Sequence, residues 1–259
     1  MPALSPDNPL MITVPVSPYV ELARWTLDRL GVAYVEEPHA PVFNTLAAKR
    51  HRGGTVVPIL DIGDRTLADA RAIVEFYEQR APEELRLYPA DAAARADAKG
   101  VFDELYDVLG VAVRAWAYAY QLPQRRSTTR AWVQRVPLLE RLIVPLAYPL
   151  IARRLARGLK LHAGSIPEQR AIIDATLARL AERIADGRRH LAGDRLGAAD
   201  LALATMLAPA VLPPGYRGPL PALHELPEAM RRDVEEIRAH PVGRFALRVF
   251  AEERAPGAG

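Results

Sequence analysis

The sequence predicts a small α/β domain followed by a larger all-α domain. Over the first ninety or so residues, strand-length apolar runs alternate with segments of helical spacing. From Pro89 onward, helical spacing dominates, and "LYPADAAARADA" between the two regions has the composition of a linker. A chain of 259 residues is long enough for one or two domains with a sizeable core. We therefore place the domains at residues 1–88 and 89–259.

The N-terminal region has the order βαβ, a short helix, then ββα. "LMITVPV" and "VAYVEEP" have strand length and flank an amphipathic helix in "YVELARWTLDRLG", which Gly31 ends. "FNTLAAKR" follows as a short helix. In "VPILDIGDRTL", two apolar runs meet at Gly63-Asp64, which predicts a hairpin, and Asp69 then opens a further helix. Because a hairpin follows a crossover, we expect a mixed sheet covered by helices.

The C-terminal region is predicted to be entirely helical. Apolar residues recur there at helical spacing in five segments, near residues 91–120, 128–157, 167–187, 198–208 and 226–252. No strand pattern interrupts them, which predicts an all-α domain.

Composition and missing motifs exclude several classes of protein. The chain has no cysteine, so it offers no disulfide, no thiolate zinc site and no cysteine nucleophile. Its six histidines lack metal-ligand spacing, so we expect no metal site. A net charge of +3 without a base-stacking motif argues against nucleic acid. The absence of a signal-peptide pattern and of a long apolar run favours a cytoplasmic protein.

Four segments, taken in order, resemble the glutathione transferase superfamily. They are "SPYVELAR" at 17–24, "VVPIL" at 56–60, "TLADARAIVEFYEQR" at 66–80 and "LAGDRLGAADLALA" at 191–204. The resemblance covers most of the chain and implies a thioredoxin-like N-terminal domain before the all-α domain. It also implies that the protein conjugates or isomerises a small hydrophobic electrophile with glutathione as co-substrate, and that it forms a homodimer. The serine at position 17 is similar to that of the omega- or zeta-like bacterial branch.

The resemblance also assigns roles to individual residues. Ser17, at the start of the first helix, would donate to the glutathione thiolate, with Tyr19 as a second candidate donor. A free thiol has a pKa of about 8.5, and lowering it by two units corresponds to roughly 2.7 kcal/mol of thiolate stabilisation. A hydroxyl donor and the positive end of a helix supply interactions of this size. The competing interpretation is that Ser17 is only a helix N-cap.

The same likeness predicts how glutathione would be held. A cis bond before Pro58 would present the backbone of Val57 to the cysteinyl part, although proline is also tolerated at a strand edge. Asp69 would bind the γ-glutamyl amino group and the Ala70 N–H its carboxylate, whereas capping alone also explains Asp69. Family members usually have serine where this chain has Ala70. That change removes a hydrogen bond worth about 0.5–1.5 kcal/mol, so a non-catalytic binding or structural protein of the same fold is the alternative.

An aromatic row predicts the second-substrate wall. Trp116 and Tyr120 stand four residues apart in "VRAWAYAYQL", on one face of a predicted helix. They would line the electrophile site, although such a row more often forms helix–helix core.

Residues 121–162 are unusually basic. They contain nine arginines and lysines and a single acid, Glu140, among apolar residues and four prolines. An amphipathic helix on an anionic membrane is one interpretation. A kinked helical hairpin packed on the domain, with a solvated basic face, is the other and the one that the sequence favours.

Overall fold

The computed structural model describes residues 4–51 and 54–254. It divides into two compact units. The first runs to Arg86 and also takes in Thr129–Ile151 and Arg217–Pro219, and the second contains the remainder. The break at residue 86 lies close to the predicted boundary at 88. The chain nevertheless returns twice to the first unit, which the prediction of two consecutive domains did not include.

The first unit contains the predicted mixed sheet. Its strands are β1 (Leu10–Thr13), β2 (Val35–Pro38), β3 (Ile59–Asp61) and β4 (Thr66–Ala68), in the order β2-β1-β3-β4. β1 is parallel to β2 and antiparallel to β3, which is antiparallel to β4. Three helices connect or follow the strands: α1 (Pro18–Arg29), α2 (Asn44–Arg50) and α3 (Ala70–Glu78). The α/β class predicted for this region is therefore confirmed.

Local sequence signals account for these elements. Pro18 begins α1, where its missing N–H costs no hydrogen bond, and Gly31 follows the helix at a φ of +65°. In the hairpin between β3 and β4, Gly63 has a φ of +94°, and its amide donates to the Asp61 carboxylate at 2.9 Å. A Cβ at Gly63 would lie 2.4 Å from the carbonyl oxygen of Leu4, so glycine is required on two grounds.

The second unit is built from helices. It holds α4 (Ala92–Glu104), a π-helical turn (Leu105–Leu109), α5 (Gly110–Gln121), α8 (Ser165–Arg183), α9 (Ala198–Val211), α10 (Glu228–Ala239) and α11 (Pro241–Glu253). Between α5 and α8 come α6 (Arg125–Trp132) and α7 (Leu138–Gly158), which pass from one unit to the other. Every residue of α9 is buried, so this helix forms the centre of the core.

Two predicted helices are each interrupted. The segment predicted at 128–157 breaks between α6 and α7, where Arg135 has a φ of +61° and Pro137 follows. The segment predicted at 226–252 breaks at Pro241, which begins α11. Proline disfavours helical geometry in the residue before it, and this local effect outweighs the continuous apolar spacing. Across the described ranges, no helix combines the length and apolar character that crossing a membrane demands.

Candidate functional site

The strand register brings three predicted site segments to the same end of the sheet, where β1 and β4 end and β3 begins. Ile59 pairs with Ile12 of β1 and with Ala68 of β4. Continuing each ladder by one residue places Pro58 next to Thr13 and Asp69. The Asp69 N–H donates to the Pro58 carbonyl at 3.0 Å, which ties the last two together. Ser17 lies four residues after the last residue of β1 and immediately before α1, at this end of the sheet.

Ser17 does not act as a side-chain cap. It occupies the N-cap position of α1 with extended backbone, and its N–H donates to the Val14 carbonyl at 2.9 Å. Among the described residues, no first-turn amide of α1 donates to its hydroxyl. The side chain is half-buried. The capping role that would explain Ser17 without function is therefore absent, and the hydroxyl lies at the positive end of a twelve-residue helix.

Tyr19 lies in the first turn of α1 but is only 7% exposed. Its ring belongs to the core of the first unit, which makes it less accessible to a ligand than Ser17.

The peptide bond between Val57 and Pro58 is cis, as expected. Val57 is half-buried and packs against a core cluster that includes Ile12 and Ile59. The backbone before β3 is thereby fixed on the sheet.

Asp69 and Ala70 form the start of α3. The Asp69 carboxylate accepts a hydrogen bond from the Ala72 N–H at 2.9 Å, so its capping role is real. Its φ of +80° is unfavourable for a residue with a Cβ, and the bond to Pro58 and the cap hold it there. Ala70 is fully buried at the first helical position. Amides at that position lack an acceptor within the helix, so they are aimed at whatever lies beyond its end.

A buried ion-pair network that the sequence analysis did not single out lies behind Ser17. Arg24, the last residue of "SPYVELAR", is 3% exposed and donates to Glu21 and to the Pro15 carbonyl, both at 3.3 Å. Its Nε donates to Glu36 of β2 at 3.0 Å. Burial opposes ionisation of Glu36, but the Arg24 hydrogen bond and charge outweigh it and lower the pKa of that carboxyl. Arg24 therefore fixes the segment that leads into Ser17.

A second network anchors the loop before α2. The Ala40 N–H donates to Glu140 of α7 at 2.7 Å, and a ring nitrogen of His39 contacts the other oxygen of the same carboxylate. His39 also contacts Glu37 at 2.9 Å. The hydrogen bond to Glu140 raises the pKa of His39. The single acid of the basic segment thus attaches α7 to the first unit.

Trp116 and Tyr120 lie in the second unit and both donate to Asp233 of α10, at 3.1 and 3.0 Å. Trp116 is fully buried, and Arg170 binds the other oxygen of Asp233 at 2.8 Å. Burial and the hydrogen bond from Tyr120 to Asp233 raise the pKa of Tyr120 to about 12. These contacts favour the helix–helix packing role, and the assignment of both residues to an electrophile site stays a prediction.

No group of three or more potential metal-ligating side chains is found in the part of the chain that the structure covers.

Two family models match the chain, one for each of its predicted domains. The model described as glutathione S-transferase, N-terminal domain, matches residues 11–85. The model described as glutathione S-transferase, C-terminal domain, matches residues 147–232. Together they cover more than half of the sequence. The chain belongs to the glutathione S-transferase superfamily.

Solved structures agree on the fold. The chain is 20% identical to a glutathione S-transferase from Methylobacterium radiotolerans in complex with glutathione sulfonate, with a TM-score of 0.61 and coverage of 97% of this chain and 96% of that one. It is 17% identical to a glutathione-bound glutathione S-transferase from Methylobacillus flagellatus, with a TM-score of 0.60 and 95% of each chain covered. A β-etherase from a Sphingobium strain is 18% identical, with a TM-score of 0.57 and coverage of 93% and 98%. No curated protein sequence matches the chain significantly.

Proposed function

We propose that the protein is a glutathione transferase-type enzyme in which the Ser17 hydroxyl stabilises the thiolate of bound glutathione. The observation that carries the proposal is the position of this hydroxyl. It lies at the N-terminus of α1 and, among the described residues, makes no capping bond to the first turn. It also lies at the same end of the sheet as Pro58 and Asp69. The glutathione sulfonate and glutathione in the two bacterial relatives support glutathione as the ligand.

The proposed chemistry requires a thiolate at neutral pH. A hydrogen bond from Ser17 to sulfur and the positive end of α1 both favour the ionised form over the thiol. The thiolate then attacks an electrophilic carbon. A carbon–sulfur bond forms, the leaving group departs with its electron pair, and the thiol proton passes to solvent. Because position 17 is serine, no mixed disulfide forms there, which favours conjugation over thiol–disulfide exchange.

Glutathione itself would be held at the end of the sheet where Pro58 and Asp69 lie. The backbone of Val57, which precedes β3, would hydrogen-bond to the cysteinyl part. The Asp69 carboxylate would contact the γ-glutamyl amino group while it caps α3. The Ala70 amide at the helix start would receive the γ-glutamyl carboxylate, because helix N-termini favour anions.

Ser17→Ala is expected to lower kcat/KM for conjugation of glutathione with an activated aryl chloride by about 10- to 100-fold. The thiolate loses a hydrogen-bond donor, so its pKa rises and the pH profile of kcat/KM moves to higher pH. Steady-state kinetics across pH measure both effects. Ser127→Ala is the matched control, because Ser127 lies in α6, in the second unit, and its hydroxyl donates to the nearby Gln124 carbonyl. Unchanged kinetics and an unchanged profile would remove Ser17 from the mechanism and direct the same assay to Tyr19→Phe.

Ala70→Ser is expected to tighten glutathione binding about two- to tenfold, because the new hydroxyl adds one hydrogen bond to the bound carboxylate. Ala70 is fully buried, so without the ligand that hydroxyl lacks water and the variant loses stability. Isothermal titration with S-methylglutathione measures the affinity without turnover. Weaker binding than wild type would show that position 70 does not face the ligand.

We further propose, from the serine at position 17 and the family resemblance, membership of the omega- or zeta-like branch, a homodimer and a cytoplasmic location. Light scattering of the purified chain tests the dimer directly.

A further inference from the structure

The outward face of α7 carries a row of leucines. Four of its members are spaced by four residues along the helix and the fifth lies next to the first, so all five lie on one side of it. Their side chains are 63–82% exposed, and the row consists of Leu138, Leu139, Leu142, Leu146 and Leu150. We name these five residues the leucine row. The opposite face of α7 buries Glu140, Val144, Tyr148 and Ile151. The helix is therefore apolar on the side where a surface helix is normally polar.

The contacts of the buried face fix this orientation. Glu140 accepts the Ala40 N–H at 2.7 Å and contacts His39, and both bonds are within the first unit. Tyr148 stacks on Trp132 with ring centroids 5.3 Å apart. Turning the leucine row inward would break these contacts and bury Arg141, which is exposed in the next position. The row is thus held outward by the fold.

Along its own stretch of chain, the leucine row is flanked by exposed positive charge and by no exposed acid. Residues 134–160 contain six arginines and lysines: Arg135, Arg141, Arg153, Arg154, Arg157 and Lys160. All six are exposed. Glu140 is the only acid in this stretch of sequence, and it is buried against His39 and Ala40. An apolar row whose exposed charged neighbours along its own stretch of chain are all cationic fits a surface that is both anionic and able to take up leucine side chains.

We propose that α7 docks on an anionic phospholipid bilayer, with the leucine row in the boundary between headgroups and acyl chains and the basic residues on lipid phosphates. A helix with leucines on one side and arginines beside them lies in the plane of such a membrane. A second copy of the chain fits less well. Two α7 helices packed row against row would bring arginines of the same sign together with no exposed acid from this helix to neutralise them. The proposal is independent of glutathione chemistry.

Vesicle co-sedimentation with the full chain tests the proposal. At low salt, the chain is expected to bind phosphatidylcholine vesicles that contain phosphatidylglycerol at least about tenfold more strongly than pure phosphatidylcholine vesicles, and added salt is expected to weaken binding. The pair Leu142→Gln and Leu146→Gln, in one variant, is expected to reduce binding at least about tenfold, because two apolar anchors are lost. Leu46→Gln is the matched control: Leu46 is a 61% exposed leucine of α2, and its loss should leave binding unchanged.

Two further measurements make the result decisive. Arg153→Gln with Arg157→Gln is expected to reduce both the affinity for the anionic vesicles and its salt dependence. Thermal unfolding of the leucine variant should match wild type, since the replaced side chains are exposed. Equal binding to both vesicle types, binding that the leucine variant retains, or no binding at all would overturn the proposal. So would a dimer that the leucine variant converts to monomer in light scattering, because that outcome assigns the leucine row to a second copy.

Discussion

Arg24→Met is expected to lower the free energy of unfolding by about 3–5 kcal/mol, because it leaves the buried carboxylate of Glu21 and the partly exposed carboxylate of Glu36 without this cation. Glu21 is fully buried and Arg24 is 3% exposed, so water cannot replace the lost interaction around Glu21. Methionine fills a similar volume, so the cost comes from charge and hydrogen bonds more than from a cavity. The Pro15 carbonyl also loses its donor, which loosens the segment before Ser17.

Urea unfolding of wild type and Arg24→Met measures this cost. Arg232→Met is the control: Arg232 pairs with Glu228 at 3.7 Å, but both side chains are about two-thirds exposed, and such pairs contribute about 0–1 kcal/mol. Adding Glu21→Leu to Arg24→Met should restore part of the stability, since a buried charge that has lost its ion pair with Arg24 is removed. A cost below about 1 kcal/mol, similar to that of the control, would contradict a structural role for the network.

The same network predicts a pH dependence. The pKa of Glu36 is lower in the folded protein than its ordinary value of 4.5. A depressed carboxyl pKa contributes stability that is present above the unfolded pKa and is lost as pH falls through the folded pKa. The difference in unfolding free energy between wild type and Arg24→Met should therefore shrink as the pH is lowered below about 4.5.

The fold of the first unit was predictable because its signals are local. The alternation of strand runs and helical spacing, the turn at Gly63 and the helix starts marked by Pro18 and Asp69 each depend on residues within a few positions of one another. The order of the strands follows from chain connectivity. The placement of Ser17, Pro58 and Asp69 at the same end of the sheet follows in turn from the register of those strands.

Contacts between residues far apart in the sequence could not be predicted in the same way. Glu140 binds Ala40 across one hundred positions, and this contact accounts for the return of α7 to the first unit. In the sequence, Trp116 and Tyr120 form an aromatic row. Only the structure shows that both of them donate to Asp233. Helical spacing marks a face as apolar, but it does not state what covers that face. For that reason the sequence left a membrane-surface helix and a packed hairpin as alternatives for this segment, and the exposure of the leucine row on α7 is visible only in the structure.

Glycine at position 197, the N-cap of α9, has a steric reason. A Cβ at this position would lie 2.9 Å from the Leu87 carbonyl oxygen, which accepts the Ala198 N–H at 2.8 Å. Serine would crowd that backbone, so the cap must come from another residue. Asp200 supplies it: one carboxylate oxygen accepts from the Gly197 N–H at 2.9 Å and the other from the Leu191 N–H at 2.8 Å.

Asp200→Ala is accordingly expected to destabilise the protein by about 2–4 kcal/mol, because two amides lose their acceptor where water cannot reach them. Asp200 and the whole of α9 are buried. Asp91→Ala is the matched control: Asp91 caps α4 through the Ala94 N–H at 2.8 Å at an exposed helix start, where the loss should be about 1 kcal/mol. Urea unfolding at neutral pH compares the two variants. Equal costs would contradict the argument that burial makes the Asp200 cap exceptional.

Asp200→Asn isolates the charge of the same group. Burial raises the pKa of Asp200 from 3.8 to about 6, against the opposing effect of its two backbone hydrogen bonds, and His190 lies 3.6 Å away with its own pKa lowered by burial. A carboxyl pKa that is raised on folding contributes stability that is complete below the unfolded pKa and is lost as pH rises through the folded pKa. Relative to Asp200→Asn, which has no such proton, wild type should therefore lose stability between about pH 4 and pH 6. Urea unfolding of both proteins across that range measures the difference, and a gap that stays constant or widens in favour of wild type would show that the carboxylate is already ionised at the lower pH.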